Sequence, residues 1–250
     1  MMRFGSILAA SWFGLSGCDA SAQTEQERRV YEAPPIAQTM SELDQRILEY
    51  GNFLPSCEST YDRAVHNTCS LVLENRAVLI FETAQNEARD DWGGPADRVT
   101  IAVISMNGDT IQSLEETVSD TFAHPRLQDI GGDAELELLI PVYTGNVNTH
   151  WRVWQQIGNT FSFAGEVNGF DVAYDSKVGF TAVNSRDSAA TYLVDYLDLT
   201  NQGLEHVYSV ASYLNHNSCS VWPGPAFSSS GLDLEALLAE CSAAMQESEQ

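Results

Sequence analysis

From residue 71 to residue 213 the chain repeats one pattern: a short run of β-branched and aromatic residues, then a turn signal. Runs at 71–73 and 77–81 flank Glu74, Asn75 and Arg76. Runs at 99–104 and 110–114 flank Asn107 and Gly108, the pair that favours a tight hairpin. Further runs follow at 136–143, 151–157, 161–167, 178–183, 192–199 and 206–213. They are separated by Gly158 with Asn159, Asn168 with Gly169, and turn signals at 185–188 and 201–203. Strands this short and regular, joined by turns and not by helices, predict a mainly β, antiparallel body. Helices are expected at its two ends. A short one over about 41–50 opens on Ser41 and Asp44 and stops at Gly51, and a second over 232–246 is capped by Asp233.

Ahead of this body, Arg3 precedes an apolar stretch at 7–15 that is too short to span a bilayer. It runs into Leu15, Ser16, Gly17 and Cys18, which resembles the lipobox of bacterial lipoproteins. That resemblance implies that residues 1–17 are a signal peptide and that the Cys18 thiol carries diacylglycerol. The protein would then face the periplasm from a lipid anchor. Residues 18–38 are polar, pass through Pro34 and Pro35, and read as a flexible tether to a single domain at 39–250. Asp19 resembles an inner-membrane retention signal and favours the inner over the outer membrane.

Four cysteines remain, Cys57, Cys69, Cys219 and Cys241. An even number in an exported chain favours disulfides, and sequence separation favours Cys57 with Cys69 and Cys219 with Cys241. Neither pair has the C-x-x-C spacing of zinc or thiol redox sites. The second bridge would enclose a turn at Trp222, Pro223, Gly224 and Pro225, and closing that loop adds about 3 kcal/mol in the chain-entropy account. The chain carries 35 Asp and Glu against 12 Lys and Arg, with Lys177 its one lysine. This balance argues against nucleic acid and anionic lipid as partners of the domain surface; it would draw in a basic protein, and it equally fits a salty habitat or a GC-rich genome.

The densest run of candidate ligands is at residues 129–140. Counting Asp129 as first, Asp133 is fifth, Glu135 seventh and Glu137 ninth, the spacing at which carboxylates and one carbonyl converge on a calcium ion. The third position is Gly131, which has no side-chain ligand. The sixth is Ala134, where a glycine able to take φ > 0 is usual. Two readings stay open. Either Asp129, Asp133, Glu137 and the Glu135 carbonyl hold Ca²⁺, or the loop is kept for its turn, with Asp129 capping backbone NH groups and Glu137 facing solvent.

The acidic loop, the strand after it, Trp151 and Trp154 on the next strand, and the Gly158–Phe163 hairpin together resemble the acidic-loop repeats of VCBS and FG-GAP propellers. The layout is similar to propeller-like periplasmic lipoproteins that act as lysozyme inhibitors or as immunity proteins against peptidoglycan-cleaving effectors. The resemblance covers about residues 98–213 and implies a propeller-like or incomplete propeller fold. It also implies a non-catalytic role, with a cell-wall hydrolase as the protein partner.

Motifs of common enzymes are absent: there is no G-x-S-x-G, no H-E-x-x-H and no P-loop. His66, His124, His150, His206 and His216 have no ligand spacing, and Asp90 with Asp91 and Glu115 with Glu116 read as part of the general acidity. No catalytic residue is expected. Trp151 and Trp154 should point to opposite faces of a strand, leaving one in the core and one as an interface candidate. Phe161, Phe163, Tyr192, Tyr196, Tyr208 and Tyr213 are expected mainly to fill the core. The 185–190 connection reads either as a loop tip able to meet a partner or as a plain hairpin turn. A structural or assembly lipoprotein of the envelope is the alternative function, and a hydrolase with an unrecognised site comes last.

Overall fold

The computed structural model describes residues 54, 56–57, 68–73, 77–90, 94–119 and 123–247. The expected signal, Cys18, the tether and the helix at 41–50 lie outside the described residues, as does the turn at 74–76. The described residues all belong to one unit, Gln38–Gln250.

Among the described residues, thirteen strands form three sheets, each built from consecutive strands. The first contains β1 (Thr68–Val72), β2 (Val78–Arg89), β3 (Pro95–Ile104) and β4 (Thr110–Val118), in that order. The second contains β5 (Arg126–Gln128), β6 (Glu137–Thr144), β7 (Thr149–Ile157) and β8 (Thr160–Gly169). The third contains β9 (Asp171–Asp175), β10 (Phe180–Ser188), β11 (Thr191–Thr200), β12 (Gly203–Tyr213) and β13 (Ser218–Pro223), with β13 and β9 at its edges. Every pairing between these strands is antiparallel. Three meanders packed side by side make a mainly β, incomplete-propeller arrangement. The Asn107–Gly108 turn joins β3 to β4, and Gly108 takes φ 88°, a conformation that costs glycine little.

The second sheet is the central layer, and its sequence shows why. On β6, Leu138 and Ile140 join one core with Leu79, Phe81, Ile101 and Val103 of the first sheet. Leu139 lies between them in sequence and points the other way, into a core with Trp151, Val153, Val172 and Val183. A half-buried antiparallel strand alternates apolar and polar residues. An unbroken run such as Leu138–Leu139–Ile140 marks a strand covered on both faces. The same fact corrects the reading of the two tryptophans. Trp151 is buried in the second core, where its Nε1–H donates to the Gly169 carbonyl at 3.1 Å. Trp154 is half-buried against the first core and is not a free interface residue. Phe161 is core, whereas Phe163 is 47% exposed and meets Trp154 edge-on.

Cys57 and Cys69 form a bridge buried in the first core, with Cα atoms 5.1 Å apart. Cys219 on β13 is bridged to Cys241 on the terminal helix α1 (Leu234–Glu247), with Cα atoms 6.2 Å apart. Asp233 caps this helix by accepting the Glu235 NH at 3.0 Å, and the helix begins two residues later than its sequence pattern suggests. Two expected turns are strand. Residues 185–188 continue β10 through a bulge, so the turn to β11 lies at 189–190. Trp222 and Pro223 end β13, whose ladder with β12 reaches Tyr208 opposite Pro223. Pro223 sits at the strand's last position, where its missing NH interrupts little. Among the described residues no helix is long and apolar enough to cross a membrane.

Candidate functional site

The acidic loop is a rigid turn standing on a buried carboxylate. Asp129 accepts the Gly132 NH at 2.6 Å through one oxygen and the Ala134 NH at 3.0 Å through the other. Asp133 accepts the Glu135 NH at 3.0 Å. Gly132 and Ala134 both take positive φ, 78° and 68°, so the sharp-turn position does require the conformation that its Cβ disfavours. At Gly132 there is a second constraint, because a Cβ would run into the Tyr174 ring. Gly132→Ala is therefore expected to cost about 1–3 kcal/mol. Gly131→Ala, whose one tight contact is Leu199 Cδ2 at 3.2 Å and which needs no positive φ, should cost less. Thermal melting of the two variants checks this.

Glu137 does not face solvent. It is fully buried, and Oε2 accepts the Ile130 NH at 2.9 Å while Oε1 has no hydrogen-bond partner. Burial pushes its pKa up to about 7. The Ile130 NH and, more weakly, the Gly131 NH oppose the shift, and the nearby charges of Asp133 and Asp129 add to it. Asp133 and Glu135 are exposed, and among the described residues no three His, Cys, Asp or Glu side chains gather in metal-ligating geometry. Asp129 already uses both oxygens, and the third loop position is a glycine. The one free oxygen aimed inward, Glu137 Oε1, fits either a proton or a cation.

A second constellation, unnoticed in the sequence, lies at one end of the first and second sheets. Glu116 occupies an inward position of β4 between Leu114 and Val118, and its side chain has no exposed surface. Its oxygens accept Arg152 Nη1 at 2.6 Å and Trp154 Nε1 at 2.7 Å. Arg152 Nε continues to Glu166 at 3.1 Å, and the other Glu166 oxygen meets His150 Nε2 at 2.9 Å. His150, Arg152 and Trp154 are two apart on β7 and so share a face. Burial raises the Glu116 pKa against the pull of Arg152. On Arg152, burial pulls the other way, but Glu116 and Glu166 outweigh it and the pKa is raised. Two short bonds to donors at Glu116 favour its ionised form, and we take the pair as charged at neutral pH.

His150, Arg152 and Glu166 line a cleft of about 810 Å³, while Glu116 and Trp154 lie behind them. Its rim is made by the β6–β7 turn (Tyr143, Asn146, Val147) and the end of β10 (Arg186, Asp187, Ser188). The two are clasped: Asn148 Nδ2 donates to the Arg186 carbonyl and Asn148 Oδ1 accepts the Arg186 NH, both at 3.0 Å. The end of β10 is thus a rim of the cleft held in place by its neighbour. Glu166 is held below the usual carboxylate range by His150 first and then by Arg152, while Glu116 is sealed from the cleft. This pair offers no accessible protonated carboxyl for glycoside chemistry.

Sequence reading also missed Ser209, His206 and Asp195. Ser209 Oγ lies 2.8 Å from His206 Nε2 and donates to Asp195 Oδ1 at 2.5 Å. In a nucleophilic triad the carboxylate orients the far ring nitrogen. Here it takes the serine's own proton, and His206 Nδ1 lies 2.5 Å from where a Cβ on Gly224 would be, against backbone. Ser209 is itself buried, so the group is a polar lock between β11 and β12. Beside it Tyr196 stacks on Tyr208 at 4.5 Å, and burial pushes the Tyr196 hydroxyl up to about 12.

No family model matches the chain, and no curated protein matches its sequence. Among solved structures, that of a Xanthomonas type IV secretion system related protein is similar to it with a TM-score of 0.42 and 12% identity, over 66% of this chain and 91% of that chain.

Proposed function

We propose that the chain is a lipid-anchored, periplasm-facing binding protein without catalytic chemistry of its own, and that its partner is a basic, peptidoglycan-cleaving enzyme. The observation that carries this reading is the charge, −23 at neutral pH on an exported-type sequence. So large a surplus raises encounter rates with a cationic protein and repels anionic polymers. The preset loop at 129–137 and the clasped rim of the cleft support it, since ordered protrusions lose little entropy on docking. The mechanism is occlusion, with substrate kept out of the hydrolase cleft. The acidic loop serves as a support, and Ca²⁺, if taken up, stabilises that support and takes no part in any reaction.

The protein is expected to inhibit at least one basic muramidase in a cell-wall turbidity assay, with an inhibition midpoint that rises steeply with salt. Failure to bind any of a panel of cell-wall hydrolases would sink the reading. A structural envelope lipoprotein is the second reading, favoured by Trp222 and Leu238, each 44% exposed on the β13 and α1 layer. Co-purification with one fixed envelope complex would support it instead.

A further inference from the structure

We propose that the cleft lined by the ends of all three sheets is the partner-docking surface, and that it receives a guanidinium or ammonium side chain of a basic protein. The proposal deepens the function proposed above and takes from it only the partner's identity as a hydrolase.

The cleft is preset. Asn148 ties its two rim segments together by reciprocal bonds, so little ordering remains to be done on binding. Its rim exposes an aromatic ring and an aliphatic side chain, Tyr143 at 40% and Val147 at 45%, the amphipathic surface that interface anchors use. Its cations are already engaged. Arg152 is bonded to Glu116 and Glu166 and His150 to Glu166, and Arg186 Nη2 donates to the Tyr192 hydroxyl while its guanidinium lies 4.6 Å from that ring's centroid; Arg186 Nε has no partner but is buried. None of the three presents an exposed donor that these contacts leave as the main attraction for an anion. Asp187, by contrast, is exposed on the rim and makes no hydrogen bond or ion pair among the described residues. A cation entering here meets the Tyr143 ring and an uncommitted carboxylate, with Glu166 below, a combination that selects positive charge over a neutral sugar or an anion.

The test is a magnetic resonance titration of the full chain with agmatine, chitotriose and inorganic phosphate, following the Asn148 Nδ2–H and Arg152 Nε–H signals of the cleft lining. Agmatine is expected to shift both signals to saturation, and the other two to leave them in place. The double substitution Asp187→Asn with Tyr143→Ala should weaken agmatine about tenfold, while Asp109→Asn at the exposed β3–β4 turn, outside the cleft and the acidic loop, leaves it unchanged. Preferential binding of chitotriose or phosphate would overturn the proposal. So would unaltered agmatine affinity in a double variant that melts like the parent. If agmatine binds as expected and no hydrolase is inhibited, the cleft assignment holds and the hydrolase reading fails. If a hydrolase is inhibited equally well by the double variant, the cleft assignment fails alone.

Discussion

Replacing Arg152 by alanine is expected to remove about 3–5 kcal/mol of folding stability, because it strands the Glu116 carboxylate inside the protein without its counter-charge. Trp154 Nε1 would remain its one donor. For a domain of this size the loss corresponds to a fall in Tm of roughly 10 °C. The partner Glu166 is 41% exposed and contributes little to this figure, since exposed ion pairs are screened by solvent. A second substitution, Glu116→Gln, should recover much of the loss by removing the stranded charge, leaving the double variant more stable than Arg152→Ala alone. Urea unfolding of the three variants decides it. A cost below about 1 kcal/mol for Arg152→Ala would show that water reaches Glu116 and that the pair is not structural.

The second large effect is a loss of stability between about pH 4.5 and pH 7, from Glu137. Its folded pKa, about 7, lies above the ordinary value of 4.5. Between those values the folded state binds a proton that the unfolded state has released. Stability from this group is therefore full below the unfolded pKa and falls as pH rises through the folded one. The expected drop is about 3 kcal/mol. The charges facing the group are Asp129 and Asp133, both of which work to keep it protonated. Glu137→Gln keeps an acceptor for the Ile130 NH and should flatten the profile. Calcium is the competing occupant of the same free oxygen. If millimolar Ca²⁺ at pH 8 raises the Tm of the parent but not of Glu137→Gln, the ion has replaced the proton, because a ligand bound only by the folded state must stabilise it. A chelator-insensitive Tm would assign the oxygen to the proton alone.

Much of the sheet structure was legible because strand runs and turn residues are local signals. The Asn107–Gly108 hairpin, the β7 to β8 hairpin around Gly158 and the cap at Asp233 all form where their residues stand. β5, β9 and β13 were not legible. Three residues of β5 carry too little pattern, and β9 and β13 mix polar and apolar residues because they are sheet edges. The cleft was hidden for a different reason. Glu116 shares the inward phase of Leu114 and Val118, and that phase was the available clue, but its meaning depends on Arg152 arriving from 36 residues away. Glu137 misled in the same way. Its acidity suggested solvent or metal, whereas the donor that holds it inside is a backbone NH, which no side-chain pattern reports.

The two-sided burial of β6 has a consequence for how the chain matures. Chains emerge from ribosome or translocation channel with the N-terminus first, and domains organise in that order. Once the first two sheets are out, Leu138 and Ile140 can close against their neighbours, but Leu139, Trp151 and Val153 still look outward with nothing opposite them. Their cover, Val172 and Val183, belongs to strands not yet delivered. The half-emerged protein is thus a sticky intermediate whose lifetime is set by the rate of supply of its last third. Holdase chaperones should engage it during that interval, and a stall placed after residue 169 should trap more of it than one placed after residue 213.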